Sequence, residues 1–273
     1  MRVGDVHVPT FIYGTAWKED ATARLTRLAL DAGFRGIDTA NQRRHYVEAG
    51  VGEALAAAAL PRDDVFLQTK FTYLDGQDHR LPYDPDAPLA TQVEQSMASS
   101  LAHLGVDRVD AYLLHGPSVR HGLSADDWAT WEAMERLHAA GTTRLLGVSN
   151  VTVAQLAELW DAAATKPAIV QNRCFAALGW DRAVRHFCAE RGIVYQGFSL
   201  LTANREILRL RRVHDIAARV GKTVPQVIFR FALEVGMVAL TGTTSPTHMA
   251  EDLGVYDFAL APDEVRAIDR LAA

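Results

Sequence analysis

Asp38, Tyr46, Lys70 and His115 are an acid, a phenol, an ammonium and an imidazole, and three of them close short apolar runs: GFRGID, VFLQTK and DAYLLH. Such runs read as buried parallel strands, and a parallel barrel gathers the C-terminal ends of its strands at one mouth. Gathered there, the four groups suit proton chemistry at a polar substrate. Lys70 alone has two jobs open to it. It can form a Schiff base with a carbonyl, or stay an ammonium beside a phenol and stabilise the phenolate. Asp38 favours the second, because a carboxylate partner suits an ammonium better than a nucleophilic amine. Tyr46 is then the proton donor, since a free phenol with a pKa of about 10 keeps its proton near neutrality. His115 orients the substrate oxygen. A phenol that protonates a carbonyl oxygen needs a nucleophile for the carbon, and these residues supply none. A hydride-carrying cofactor would.

Apolar strand-like runs alternate with amphipathic helical stretches along the chain, the pattern of a parallel sheet wrapped by helices. Strands are expected near Phe11–Gly14, Gly36–Asp38, Val65–Lys70, Ala111–His115, Leu145–Val148, Ile169–Gln171, Val194–Phe198 and Met237–Leu240. Helices are expected around Thr22–Ala32, Gln92–Leu104, Trp128–Ala139, Val153–Ala163, Arg182–Arg191 and His214–Val220. The eight pairs use nearly all of the chain and no Pro/Gly/Ser-rich linker divides it, so residues 1–273 read as one (β/α)8 TIM barrel of the α/β class. The turn-forming segment His79–Pro88 follows the Lys70 strand and reads as a loop above the mouth that shapes the substrate site. Gly50-Val51-Gly52 superficially opens a dinucleotide fingerprint. Leu55 stands where G-x-G-x-x-G needs its third glycine, inside a helical stretch, so a Rossmann domain is not expected.

A net charge of −5 with scattered basic residues argues against nucleic acid or an anionic membrane as partner. Cys174 and Cys188 are the only cysteines and show no metal spacing, so no zinc site or disulfide framework is expected and no metal is assigned. The start lacks a signal-peptide stretch and no apolar run is long enough to span a bilayer, which points to the cytoplasm. Ser245-Pro246 reads as an N-cap and first helical residue. With Thr243 and Thr244, that helix start reads either as a phosphate site at the mouth or, taken alone, sooner as an ordinary capped helix.

FIYGTAW, GFRGIDTA with the later VGEAL, FLQTK, DAYLLHGP, LLGVSN, IVQNRC, VYQGFSLLTAN and TGTTSPTHMAEDL occur in that order from end to end. Through this set the chain resembles the aldo-keto reductases, (β/α)8 barrels that reduce carbonyls with NADPH or, less often, NADH. The resemblance implies that Asp38, Tyr46, Lys70 and His115 are the catalytic tetrad. It implies that Ser149, Asn150 and Gln171 hold the nicotinamide carboxamide, that Phe198 stacks on the ring, and that Ser199 and Leu201 touch the pyrophosphate. Gly14 and Thr15 fall where the first barrel loop meets the cofactor, and Trp17 where it walls the substrate pocket.

The sequence departs from the family pattern at two places. The usual tyrosine position, counted from the aspartate, holds Arg43, and counted back from Val51-Gly52 it holds His45. Tyr46 is the phenol at hand, and a short insertion in NQRRHY reconciles the counts. His45 stays open as a pocket residue or second proton donor. Around the cofactor's ribose, the lysine and arginine of NADPH-preferring relatives are replaced by Gly242 and His248, with Thr243 kept and Glu251 and Asp252 following. NADP(H) is favoured by the family pattern, with NAD(H) open. The sequence ends at Ala273 without the tail that closes the pocket in many relatives, which implies an open mouth that a homodimer partner could cover; monomer and homodimer both stay open. The function that follows is reduction of an aldehyde or ketone, a small-molecule carbonyl, to the alcohol, with an imine or conjugated enone open to the same hydride. Two rivals remain: a Schiff-base aldolase or lyase built on Lys70, and a non-catalytic sensor that binds a nicotinamide nucleotide.

Overall fold

A computed structural model describes residues 1–271. An antiparallel hairpin, β1 (Arg2–Val3) and β2 (Val6–His7), precedes eight parallel strands. These are β3 (Phe11–Gly14), β4 (Gly36–Asp38), β5 (Phe66–Phe71), β6 (Val109–Leu114), β7 (Thr143–Ser149), β8 (Ile169–Arg173), β9 (Val194–Phe198) and β10 (Val238–Thr241). They pair in chain order, and β10 returns to β3 to close the barrel. The wrapping helices are α1 (Thr22–Ala32), α2 (Glu48–Ala57), α3 (Leu89–Leu104), α4 (Ala125–Ala139), α5 (Val153–Ala162), α6 (Arg182–Arg191), α7 (Arg211–Val220), α8 (Val224–Glu234), α9 (Pro246–Leu253) and α10 (Pro262–Asp269).

The period-2 alternation of each strand divides the core into two parts. Ile12, Phe66, Leu113, Ile169, Val194 and Val238 form an inner cluster, which Val6 and Val8 join from the hairpin side. Tyr13, Leu67, Phe71, Tyr112, Leu146 and Val170 belong to the second cluster, between the strands and the helices. The barrel interior on the hairpin side is therefore packed with apolar side chains.

Strand boundaries shift by a residue or two from those the sequence implies. β6 ends at Leu114, so His115 is the first residue of the following loop, and β5 runs on to Phe71 past Lys70. Helix α8 and the N-terminal hairpin were not anticipated. The first carries a capping box, Thr223 with Gln226, and a proline in its first turn. Each strand of the second is too short to show an alternation. The 79–88 segment is a loop, as expected, but none of its residues lines the cavity described below. It braces the neighbouring loop instead, through Arg80 Nη2 donating to the Arg43 carbonyl at 2.5 Å and Tyr83 Oη to the Thr72 carbonyl at 2.8 Å.

Gly50 and Gly52 lie inside α2 and serve packing. A Cβ on Gly52 would sit 2.2 Å from the His103 carbonyl oxygen at the end of α3, a backbone contact that cannot swing aside. Gly52→Ala is expected to destabilise the barrel by about 1–3 kcal/mol, the scale of overpacking. Urea unfolding checks it, and an unchanged midpoint would mean that the α2–α3 contact is looser than described.

Cys174 and Cys188 are buried free thiols whose pKa burial pushes up to about 12, which makes them inert near neutrality. Among the described residues no cluster of metal-binding side chains occurs and no helix is long and apolar enough to cross a membrane.

Candidate active site

A cavity of about 540 Å³ opens at the C-terminal ends of the strands, where the loops after β3, β4, β6, β9 and β10 meet. Asp38, Tyr46 and His115 line it. Lys70 lies beneath, fully buried, with Nζ donating to Asp38 Oδ1 at 2.6 Å and to the Thr39 carbonyl at 2.9 Å. Asp38 Oδ1 also accepts from Gln68 Nε2 at 2.6 Å and Gln171 Nε2 at 2.9 Å. The ion pair is thus held from three sides in a site without room to relax.

A tight turn delivers Tyr46. Its backbone N–H reaches back to the Gln42 carbonyl at 3.0 Å, which swings the ring inward. The ring centroid stands 5.5 Å from Lys70 Nζ and 6.1 Å from the His115 ring, edge-on to it. Among the described residues the Tyr46 hydroxyl has no hydrogen-bond partner, so it is free to meet a ligand. Burial first, then the charge of Asp38, raises its pKa well above the ordinary phenol value, and the proton stays on at neutral pH. His45 points elsewhere. Its ring stacks on Trp17 with centroids 3.5 Å apart, and it does not line the cavity.

His115 Nδ1 shares a hydrogen bond with Thr72 Oγ1 at 2.7 Å, which fixes the ring and leaves Nε2 for a ligand. Burial, with the Lys70 charge second, pulls its pKa down to about 3, so the imidazole is neutral over the working range. A neutral, oriented ring serves as a hydrogen-bonding group rather than as a store of protons.

Of the expected cofactor contacts, Gly14, Ser149, Gln171, Phe198, Ser199 and Leu201 line the cavity. At its far end it is lined by Thr243, His248, Glu251 and Asp252. Thr15, Asn150 and Thr244 are not on the wall. Thr15 donates through its backbone N–H and Oγ1 to the Asp38 carbonyl, both at 3.0 Å, and so holds the acid's backbone. Asn150, in the left-handed region at φ 54°, ties His115 to Ser149 by donating to the His115 carbonyl at 2.8 Å and to Ser149 Oγ at 3.2 Å. Trp17 is an exposed wall residue at the mouth. Ser245 caps α9 as its sequence implies, accepting from the His248 N–H.

Asp252 is 4% exposed and accepts from Thr241 Oγ1 at 2.7 Å, and burial pushes its carboxyl up to about 6. Lys18 was not anticipated. From the loop after β3 its Nζ crosses the mouth to donate to the Gly242 carbonyl, and burial lowers its pKa. A Cβ on Gly242 would stand 3.5 Å from that ammonium. The sequence offered only the lysine beside Trp17 as a hint of it.

The sequence profile described as the Aldo/keto reductase family matches residues 9–273. An aldo-keto reductase of Mycolicibacterium vanbaalenii is 33% identical over 269 residues, 98% of this chain and 89% of the relative. A 9,11-endoperoxide prostaglandin H2 reductase of Trypanosoma cruzi is 30% identical over 253 residues, 92% of this chain and 82% of the relative. Among solved structures, an aldo/keto reductase from Brucella melitensis superposes with a TM-score of 0.84 at 28% identity, covering 97% of this chain and 96% of its own.

Proposed function

The chain belongs to the aldo/keto reductase family, and from that premise we propose that it is an NAD(P)H-dependent oxidoreductase that reduces an aldehyde or ketone to the alcohol. The observation that carries this reading is Tyr46 on the cavity wall, its hydroxyl unengaged, beside neutral His115 and over the buried Lys70–Asp38 pair.

The residues present fit a nicotinamide nucleotide. Ser149 and Gln171 on the wall would hold the carboxamide, Phe198 would cover the ring, and Ser199 and Leu201 would meet the pyrophosphate. When bound, the reduced nicotinamide supplies the hydride. His115 Nε2 and the Tyr46 hydroxyl then hold the carbonyl oxygen between them, and Tyr46 gives that oxygen its proton as negative charge builds there. The Lys70 ammonium stabilises the phenolate left behind, and Asp38 keeps the ammonium in place. His115, uncharged above about pH 3, orients without competing as the acid.

The Schiff-base alternative suits the geometry poorly. Lys70 Nζ is spent on Asp38 and the Thr39 carbonyl and does not line the cavity.

NADP(H) is the cofactor of this reading. Gly242 and His248 lack the cations of NADPH-preferring relatives, but Lys18 brings an ammonium to the space beside Gly242 with no carboxylate among the described residues to neutralise it. The test is a fluorescence titration with NADPH and NADH in parallel, together with oxidation of each in the presence of simple aldehydes and ketones. Saturable binding and carbonyl-dependent oxidation are expected; binding of neither nucleotide sinks the reading. Lys18→Ala is expected to weaken NADPH by roughly tenfold or more relative to NADH, the size of a hydrogen bond to a charged group. Equal losses would assign Lys18 to the pyrophosphate that both cofactors share.

A further inference from the structure

Below the tetrad, β5 and β9 contribute Gln68 and Gln196, both fully buried and pointing at each other across the barrel. Gln196 Oε1 accepts from Gln68 Nε2 at 2.8 Å and from Gln171 Nε2 at 2.9 Å, and Gln196 Nε2 returns a bond to Gln68 Oε1 at 2.9 Å. The same Nε2 groups of Gln68 and Gln171 reach Asp38 Oδ1 at 2.6 and 2.9 Å. An ionised carboxylate only accepts, so both amides must present nitrogen to it. Gln196 Oε1 then takes the second hydrogen of each. The three orientations are mutually fixed, and Gln171, alone of the three on the cavity wall, is left with Oε1 for a ligand.

We infer that Gln196 and Gln68 are positioning residues that couple the proton-donating side of the site to the cofactor side, by holding Asp38 and the Gln171 amide in one hydrogen-bonded circuit. The inference rests on the reductase reading. Without Gln196, the Gln171 amide keeps only its bond to Asp38 and can turn about it, so its Oε1 is no longer held at one point of the cavity wall. Without Gln68, Asp38 loses one of the two amide donors that aim Oδ1 at Lys70. Polar groups this deep cost stability unless all are satisfied, and an apolar pair of similar volume would fill the barrel at least as well. A purely structural role therefore predicts that the apolar pair leaves chemistry intact.

The test is the double variant Gln68→Leu with Gln196→Leu, with turnover, the dissociation constant of NADPH and the thermal midpoint measured beside wild type. Replacing both partners removes their mutual bonds together, so the midpoint is expected to fall only by the few degrees that one unpaired Gln171 hydrogen and one lost donor to Asp38 cost. Turnover is expected to fall about ten- to a hundredfold, the scale of a small misplacement of catalytic groups, and NADPH to bind several-fold more weakly. Turnover and binding both within twofold of wild type would overturn the inference. Should the double variant fail to fold, Gln68→Met alone is read by the same criteria at the level of turnover. Wild-type turnover is the control: its absence removes the reductase reading and this inference with it, whereas its presence with no response in the variants removes the circuit alone.

Discussion

Tyr46→Phe is expected to lower turnover by at least two to three orders of magnitude while leaving NADPH binding nearly intact. The change removes one oxygen and keeps the ring that stands edge-on to His115. It leaves the Lys70–Asp38 pair untouched, because the hydroxyl has no hydrogen-bond partner among the described residues. The loss should therefore fall on the proton alone. Neither neighbour can replace it: His115, with its pKa near 3, carries no spare proton at neutral pH, and His45 is stacked on Trp17 off the cavity wall. Steady-state kinetics with a simple aldehyde, beside a cofactor titration, checks the prediction. Near-wild-type turnover would move the donor's role to His45 and would require the 42–46 turn to rearrange when a ligand binds. A parallel loss of cofactor affinity would mean that Tyr46 holds the ligand rather than the proton.

The sequence shows the barrel and its mouth clearly because strand and helix patterns alternate without a break, and because three of the four chemical residues end apolar runs. Asp38 closes β4, Lys70 lies one residue before the end of β5, and His115 follows β6 directly. What it conceals follows from the same pattern. In a strand buried on both faces every position reads alike, so Gln68 and Gln196 inside their apolar runs carry no mark of pointing inward, toward one another. Which of His45 and Tyr46 enters the cavity depends on a turn closed by the backbone N–H groups of both residues on the Gln42 carbonyl, and counting residues cannot see it. Lys18 acquires its place through the carbonyl of Gly242, far along the chain, which accepts from its Nζ across the mouth. Periodicity places strand ends, whereas parity, turn closure and cross-mouth contacts are properties of the folded chain.

Lys70→Met is expected to cost the fold about 3–5 kcal/mol and to reduce turnover by about two orders of magnitude or more. The ammonium is fully buried, and its removal leaves Asp38, 4% exposed, with a charge that only the amide hydrogens of Gln68 and Gln171 address. It also strips the Thr39 carbonyl of its donor. Adding Asp38→Asn to Lys70→Met should recover most of the stability, because a neutral amide oxygen can still accept from both glutamines and no unpaired charge remains. It should recover no turnover, since nothing then stabilises the Tyr46 phenolate. Urea unfolding and steady-state kinetics on the single and double variants separate the two effects. If the single variant unfolds at the wild-type midpoint, water reaches Asp38 and the site is wetter than its burial implies. If the double variant regains turnover with its stability, Lys70 matters only as the counter-ion of Asp38, and the phenolate must be stabilised by the His115 side of the cavity.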